Sequence, residues 1–271
     1  MKKRLVFFIY VDVAYRNSKI YDVHFYNLKQ FRGCFDCCTF WLSLKDFSKE
    51  NIEFASEIVC KLLNCGYLEN TEFKMHENDV LREARCFDKE IFSHICGSVN
   101  EVVFFGHTKG LSNTFNDSVL VWITSMYYFG LNFKEDIDSA FYYGGVVGKA
   151  FYGFPLMKMS RPFCEWIRTP YMYAGTFYWT NTEKARRLKE FYGYELENIS
   201  DRGYAETFPS NNFNFDNFYT HKEKILPSWD LYSYSRNGLE MYFGQYYEGD
   251  IEKKNFYEYY DKMISELNIE L

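Results

Sequence analysis

Apolar and polar positions alternate between strand-like and helix-like patterns over the first 105 residues of this 271-residue chain. Nearly continuous apolar runs predict buried strands at 5–11, 37–44 and 102–105, because a strand covered on both faces carries few polar side chains. Apolar residues at helical spacing predict helices between these strands. This order of elements is typical of a doubly wound α/β sheet. The helices predicted are 19–31, a segment from Ile52 to Leu62 that ends at Cys65-Gly66, and a segment from Asn78-Asp79 to Ile95.

The second half of the chain is richer in aromatic residues and loops. The segment 251–270 has the pattern of an acidic amphipathic helix, with Ile251 and Phe256 on its apolar side. We expect it to dock on its own domain; docking on a second subunit is the alternative, and the oligomeric state stays open. The glycine-rich segment 142–153 must turn tightly, and 203–219 around Pro209 reads as a loop. The other elements predicted here are helices at 119–131 and 181–191 and a strand at 171–180.

Composition excludes some function classes. The formal net charge is −6, so the chain lacks the basic stripe of a nucleic-acid-binding protein. Aromatic residues make up 21% of the sequence. That excess fits either a bias of the coding sequence or a set of Tyr and Trp side chains that line sites for sugars or nucleotides.

The amino-terminal apolar run is too short to act as a membrane span. It ends at Asp12, and no small-residue cleavage site follows it. No segment reaches the roughly 20 apolar residues of a transmembrane helix. We therefore expect a cytoplasmic protein without a membrane span.

Eight cysteines occur in the sequence, and three of them, Cys34, Cys37 and Cys38, have partial metal-ligand spacing. A structural zinc site needs two well-formed pairs of ligands, and the second pair here, Cys60 and Cys65, is irregular. We expect free thiols in a reducing compartment and no metal site.

The turn Gly106-His107-Thr108-Lys109-Gly110 directly follows the predicted strand 102–105. Ligands of α/β sheets bind beyond the carboxyl ends of strands. The glycines allow close approach of the backbone or a positive φ, Lys109 supplies a fixed positive charge, and His107 adds a donor that responds to pH. This combination suits a phosphate or diphosphate group, although the spacing is not that of a P-loop. The alternative is a surface turn with an incidental lysine.

Four stretches resemble a known family. Residues 102–113 (VVFFGHTKGLSN) resemble the His-Ser/Thr-Lys-Gly turn of bacterial glycosyltransferase-like proteins encoded in surface-polysaccharide clusters. Residues 78–84 (NDVLREA) resemble the family's Asn-x-x-Leu-Arg-Glu segment, 173–179 (YAGTFYW) its Gly-x-Phe-Trp strand, and 204–209 (YAETFP) its Ala-Glu-x-x-Pro segment. The resemblance spans roughly 78–210, and the order of the motifs carries it.

The resemblance implies a fold and a function. It implies an α/β, GT-A-like single domain over 1–271, with a Rossmann-like mixed sheet flanked by helices. Its nucleotide-binding half is about 1–150 and its acceptor-binding half about 151–271. The implied activity moves a sugar from a nucleotide-sugar donor, UDP-linked, to a saccharide or lipid-linked saccharide acceptor in capsule or lipopolysaccharide synthesis.

This sequence departs from the usual GT-A pattern in one respect. Such folds carry an Asp-x-Asp after the central strand, which holds a divalent metal against the donor diphosphate. Here His107-Thr108-Lys109 stands at that place. We therefore expect cationic side chains to replace the metal, while coordination of a metal through His107 and a remote acid such as Asp117 stays open.

Catalytic roles follow from the chemistry of glycosyl transfer. Lys109 is expected to stabilise the leaving diphosphate, with a hydrogen bond from His107 assisting it. By resemblance to GT-A enzymes, in which the catalytic carboxylate comes late in the chain, Glu206 is expected to be the base that takes the acceptor proton. Asp201 and Asp216 are its nearest rivals, and a surface glutamate is the alternative.

Donor-binding residues are expected at several strand and helix ends. Tyr10 and Asp12 end the first strand, where GT-A folds place the base and ribose, although Asp12 equally suits a turn cap. Arg82 is expected at the nucleotide phosphate or ribose, and an exposed ion pair with Glu83 is its alternative. Gly175 leaves room for the sugar, and Trp122, Tyr178 and Trp179 either pack on the sugar ring or belong to the core. The donor-binding residues predicted are Tyr10, Asp12, Arg82, Glu83, Gly175 and Trp179.

Two other function classes stay open at this point. One is a non-catalytic sugar- or nucleotide-binding protein that kept the fold and lost turnover. The other is a phosphate-ester hydrolase that uses His107. A hydrolase needs a nucleophile or an acidic two-metal cluster near that turn, and the local sequence supplies only Asp117.

Overall fold

The apolar runs near the amino terminus form the centre of a seven-stranded sheet. Strands β1 (Lys3–Val11), β2 (Cys37–Leu44), β3 (Thr71–Glu77) and β4 (Val102–His107) lie in the order β3-β2-β1-β4, and all neighbours among them are parallel. β2 and β4 are buried along their whole length, which explains the continuous apolar sequence that predicted them.

The computed structural model describes residues 2–113, 115–142, 149–154, 156–158, 169, 171–173, 175–193, 196, 204–220, 239 and 249–270. Within these residues the remaining strands are short. β8 (Tyr178–Asn181) runs antiparallel to β4 and to β5 (Phe151–Gly153), and β5 runs parallel to β9 (Phe218–Tyr219). β6 (Leu156–Lys158) and β7 (Tyr171–Tyr173) form a separate antiparallel pair. The predicted α/β class with a mixed sheet is therefore confirmed.

Polar side chains mark where several helices begin. Ser18, Ser48, Asn116 and Asn181 each accept a hydrogen bond from a backbone N–H of the first helical turn. The helices are α1 (Lys19–Gln30), α2 (Lys49–Asn64), α3 (Glu83–Phe87), α4 (Ser93–Cys96), α5 (Asp117–Leu131), α6 (Lys134–Tyr142), α7 (Thr182–Tyr192), α8 (Tyr204–Asn212) and α9 (Gly249–Glu266). A π-helical turn (Asp88–Phe92) joins α3 to α4, and short 3₁₀ turns occupy Val13–Tyr15, Arg32–Cys34 and Phe215–Asn217.

Helices cover both faces of the sheet. Alternate residues of β1 point to opposite sides, so Leu5 and Phe7 join one apolar cluster whereas Val6 and Phe8 join another. The first cluster packs against α1, α2, α5 and α9, and the second against α3, α7 and α8. The terminal helix docks on α5 as predicted, but Ile251 lies on its exposed side.

One strand was missed, and two predicted elements differ from the structure. β3 was not predicted, because at the edge of the sheet its sequence alternates charged and apolar residues without a buried run. The predicted helix from Asn78 starts later, at Glu83, since the Asp79 side chain accepts from the Leu81 and Arg82 backbone N–H groups and forms a turn. The predicted strand 171–180 is two strands, β7 and β8, separated by a turn with positive φ at Gly175 and Thr176.

The segment around Pro209 is also different from its prediction as a loop. It forms the helix α8, with Pro209 inside it. Of the glycine-rich segment 142–153, residues 143–148 lie outside the described residues, and 151–153 form β5. No described helix combines the length and apolar character needed to cross a membrane.

Candidate functional site

A cavity of about 380 Å³ lies at the carboxyl ends of β1 and β4. β2 and β4 flank β1 on opposite sides, so the chain direction across the sheet reverses between these two strands. Ligands of open α/β sheets bind at such a switch point. Six residues predicted from the sequence line this cavity: Tyr10, Arg82, Glu83, His107, Lys109 and Glu206.

The turn after β4 is held firmly in place by the strand beside it. The Thr108 N–H donates to the Phe8 carbonyl (3.0 Å), and the Thr108 hydroxyl accepts from the Tyr10 N–H (3.1 Å). Gly110 has φ +91°, and a Cβ at this position would lie 2.9 Å from Ile123, so both conformation and packing require glycine. A rigid turn can present its side chains to a ligand without first being ordered.

Lys109 is half-buried on the cavity wall, and its ammonium lies 5.0 Å from the centroid of the Trp122 ring. Among the described residues, no carboxylate pairs with it. Its backbone carbonyl accepts a hydrogen bond from Nε2 of the buried His24 (2.9 Å). Nδ1 of His24 lies 2.9 Å from the Tyr127 hydroxyl, which donates to it because burial lowers the pKa of His24 to about 3.

Arg82 brings a second cation to the cavity. Its side chain is exposed, and its backbone has φ 47° and ψ −125°, a conformation that costs a non-glycine residue about 1–3 kcal/mol. Arg85, three residues further on, forms an ion pair with Asp79, whereas Arg82 forms no ion pair within the described part of the chain. The predicted alternative of an Arg82–Glu83 ion pair is therefore not what the structure shows.

His107 is buried at the inner end of the turn. Its Nε2 lies 3.0 Å from the Gly175 carbonyl oxygen, which can only accept, so Nε2 carries the proton. Burial and, after it, the nearby Lys109 charge lower the pKa of His107 to about 3, against opposing effects of Glu206 and of the Gly175 carbonyl. A neutral imidazole bonded in this way has no second proton to donate, so in this arrangement His107 offers no donor for the predicted hydrogen bond to a diphosphate.

Glu206 lies in the first turn of α8 and is half-buried. Its Oε1 accepts a hydrogen bond of 2.6 Å from the Gly175 N–H. The Tyr178 hydroxyl donates to the neighbouring Ala205 carbonyl (2.6 Å) and so ties the start of this helix to β8. Gly175 therefore connects the two sides of the site, since it accepts from His107 and donates to Glu206.

Gly175 does not itself line the cavity. It has φ +83°, and a Cβ there would lie 2.6 Å from the Met126 sulfur. The prediction that this glycine leaves room for a sugar is thus wrong: the space beside it is filled by Met126.

Two tyrosines form an aromatic wall of the cavity. The Tyr10 and Tyr15 rings meet edge to face with centroids 6.3 Å apart. Burial, together with the adjacent Asp12 carboxylate, raises the pKa of Tyr10. Asp12 lies outside the cavity lining: it accepts from the Ala14 N–H to cap the turn Val13–Tyr15, and it pairs with Lys45. The capping alternative for Asp12 is the one the structure shows.

Trp179 is not a ligand-binding residue in this structure. Its side chain is 0% exposed, and its indole N–H donates to the Gly130 carbonyl (2.8 Å) in the core. Tyr178 is equally buried, and Trp122 is a core residue whose ring face meets Lys109. The alternating pattern around Tyr178 and Trp179 predicted a strand there but gave no information about which side chains met solvent.

The remaining acidic candidates lie elsewhere. Asp117 begins α5 and accepts from the Tyr260 hydroxyl (2.8 Å), so it does not face His107 across the cavity. Asp216 is exposed outside the cavity lining, and Asp201 lies outside the described residues. Within the described ranges, His, Cys, Asp and Glu side chains form no cluster of three suited to a metal ion.

Sequence reasoning missed several residues of the site. Ser112 and Asn113, which line the cavity, lie two and three residues after the predicted turn, within the stretch 102–113 that carries the resemblance. Tyr15 also lines it, four residues after the predicted strand 5–11. His24 had no usable signal, because a histidine inside an apolar helix looks like any other core residue.

Comparisons with known proteins add no further information about the chain. It matches no model of a known protein family. It also matches no functionally curated protein. What can be said of its function therefore depends on the geometry of this cavity.

Proposed function

We propose that the chain is a nucleotide-sugar-dependent glycosyltransferase with a GT-A-like fold. One observation carries the proposal: Lys109 and Arg82, two cations without a carboxylate partner among the described residues, share a cavity at the switch point of the sheet with the carboxylate of Glu206. Cations held on a preformed wall favour an anionic ligand, and a carboxylate beside them favours proton transfer.

The cavity suits a nucleoside diphosphate better than a single phosphate. Lys109 follows β4, whereas Arg82 reaches the cavity from the segment after β3, so the two cations approach a ligand from different elements. The Tyr10 and Tyr15 rings provide an apolar surface for a planar base. The family resemblance favours a UDP-linked donor and a saccharide or lipid-linked saccharide acceptor in bacterial capsule or lipopolysaccharide synthesis.

The proposed chemistry assigns one step to each side of the cavity. The acceptor hydroxyl attacks the anomeric carbon of the donor sugar and gives its proton to Glu206. The bond between that carbon and the diphosphate oxygen breaks, and the diphosphate leaves with the electron pair. Lys109 and Arg82 stabilise the charge that develops on it. Because Oε1 of Glu206 is held by the Gly175 N–H, the carboxylate is oriented before substrate arrives.

A thermal-shift screen tests the donor assignment. We expect UDP, among UDP, GDP, dTDP and CDP, to stabilise the folded chain without Mn²⁺, by about 2.7 kcal/mol at 100 times its Kd. Lys109→Met should weaken binding about 10- to 100-fold, the loss expected for a charge-assisted hydrogen bond. Lys49→Met is the matched control, because Lys49 pairs only with Glu53 on the surface in the described structure.

Three results would contradict the proposal in different ways. Stabilisation by none of the four nucleotides removes the donor class. Stabilisation that requires Mn²⁺ would mean that a metal ion, and not Lys109, binds the diphosphate. Binding without any release of UDP from a UDP-sugar, with or without acceptor, identifies a binding protein that has lost turnover.

A further inference from the structure

The imidazole of His107 has a fixed orientation that leaves one nitrogen for a ligand. The Nε2–H group donates a hydrogen bond to the Gly175 carbonyl (Nε2 to O, 3.0 Å), and this bond places the proton of the neutral ring on Nε2. The ring also packs against Phe177, with centroids 6.0 Å apart. Nδ1 therefore carries a lone pair in the resting protein.

Nδ1 of His107 is open to the cavity. His107 lines the cavity, and no described group donates to its Nδ1. The protein does not fully enclose Nδ1, so this atom keeps contact with solvent. A buried histidine that keeps one acceptor atom open to a cavity is suited to bind a hydrogen-bond donor.

The group that donates a hydrogen bond to Nδ1 cannot be the diphosphate. A diphosphate ester linked to a sugar carries no proton near neutral pH, and its oxygens would repel the Nδ1 lone pair. The carboxylate of Glu206 is a second acceptor in the cavity. The His107 ring and the Glu206 carboxylate are both hydrogen-bonded to Gly175. Lys109 and Arg82, in contrast, are donors. The cavity thus has a cationic part for an anion and an acceptor part for hydroxyl groups.

We propose that Nδ1 of His107 accepts a hydrogen bond from a hydroxyl of the sugar that is transferred, next to the phosphoryl group held by Lys109. This inference rests on the proposed function, and it adds what the ligand must carry: a free sugar hydroxyl beside the diphosphate. His107 is then a specificity residue for the sugar and contributes nothing to diphosphate binding.

The test compares His107→Leu with His107→Asn. The two side chains have nearly the same size, and both lose the bond from Nε2 to Gly175. Only Asn offers an oxygen near the position of Nδ1. The quantity measured is the ratio of two dissociation constants, that of a nucleotide sugar and that of its diphosphate, by calorimetry. The matched pairs are UDP-glucose with UDP, UDP-galactose with UDP, GDP-mannose with GDP and dTDP-glucose with dTDP.

We expect His107→Leu to raise this ratio about tenfold and His107→Asn to leave it within about threefold, with diphosphate affinity equal in all three proteins. Deoxy analogues of the sugar sharpen the test. The analogue that lacks the bonded hydroxyl should bind the wild-type protein about tenfold more weakly than the complete nucleotide sugar does. The analogue and the complete nucleotide sugar should bind His107→Leu equally well. Folding of each variant is checked by its unfolding transition.

A ratio that is unchanged in a folded His107→Leu overturns the inference while the proposed function stands. Equal losses for the sugar nucleotide and the diphosphate also overturn it, since His107 would then act on the phosphate part. Absence of binding of every pair to the wild-type protein overturns both this inference and the proposed function.

Discussion

The two ends of strand β1 carry charge in opposite ways. At its amino end, Arg4 bonds to Glu90 (2.7 Å) and to Glu101 (2.6 Å), and all three side chains are buried. At its carboxyl end, Lys109 and Arg82 face a cavity, and neither has a carboxylate partner in the described structure.

The amino-end network is complete within the protein. Lys74 and the Trp41 indole N–H also bond to Glu90, and His94 bonds to Glu101. Burial alone would raise the pKa of Glu90, but hydrogen bonds from Lys74 and Arg4 lower it overall. This region uses charge to hold the sheet to the helix beside it.

The carboxyl end is rigid but incomplete. Backbone bonds fix Thr108, and His24 fixes the Lys109 carbonyl, while the cationic head groups stay available. The contrast teaches that charge alone does not mark a site. A buried group whose partners are all present stabilises the fold, and a group that is held in place without a partner is ready for a ligand.

The largest effect expected at the carboxyl end is on turnover. Glu206→Gln should lower the release of UDP from a UDP-sugar about 100- to 10,000-fold, because the proton acceptor is lost, and should leave UDP binding unchanged. Asp216→Asn, at an exposed position outside the cavity lining, is the control and should keep full activity. Turnover by Glu206→Gln at the wild-type rate would remove Glu206 as the base.

At the amino end the largest effect expected is on stability. Arg4→Met leaves two buried carboxylates short of a partner and should lower the free energy of unfolding by about 3–5 kcal/mol. Lys109→Met should change it by less than about 1 kcal/mol, the size of its contact with Trp122. Urea unfolding measures both. Equal losses in the two variants would erase the distinction between the two ends.

The two ends of β1 should lose their contributions to the free energy of unfolding in different pH ranges. The pKa of His24 and of His107 is about 3 in the folded chain against 6.5 ordinarily, so protons bind the unfolded state first as the pH falls. Each contributes a loss of about 1.4 kcal/mol of unfolding free energy per pH unit below 6.5. The pKa values of Glu90 and Glu101 are lowered from 4.5, so the stability they contribute is lost only below that value.

Unfolding curves between pH 6.5 and 4.5 check this separation. The half-buried His76, whose pKa burial also lowers, adds to the slope in the same range. In that range, His107→Asn should reduce the slope by about one proton, or 1.4 kcal/mol per pH unit. A slope that does not respond to His107→Asn would mean that His107 titrates normally.

The smallest effect expected is that of His24 on the anion site. His24→Met removes the donor to the Lys109 carbonyl and should weaken UDP binding about fivefold, whereas His24→Gln keeps a donor near Nε2 and should bind normally. In a Lys109→Met background, His24→Met should cause no further loss. A further loss of the same size there would show that His24 does not act through Lys109.

The local sequence pattern was sufficient to predict the central strands and several of the helices that cover them. The apolar runs of β1, β2 and β4 and the helical spacing of α1, α2 and α5 were predicted because each is buried along a whole face or on both faces. β3 and α8 were missed since an edge strand and a helix that contains Pro209 both depend on packing against neighbours rather than on pattern.

The sequence by itself also determined that a histidine and a lysine stand between two glycines at the carboxyl end of an apolar strand. Only the tertiary structure decided what those side chains can do. Gly175, 68 residues away, fixes the proton of His107, and the same residue orients Glu206, 31 residues further on. Burial and partners brought together over such separations set tautomer, pKa and solvent access, and no local pattern records them.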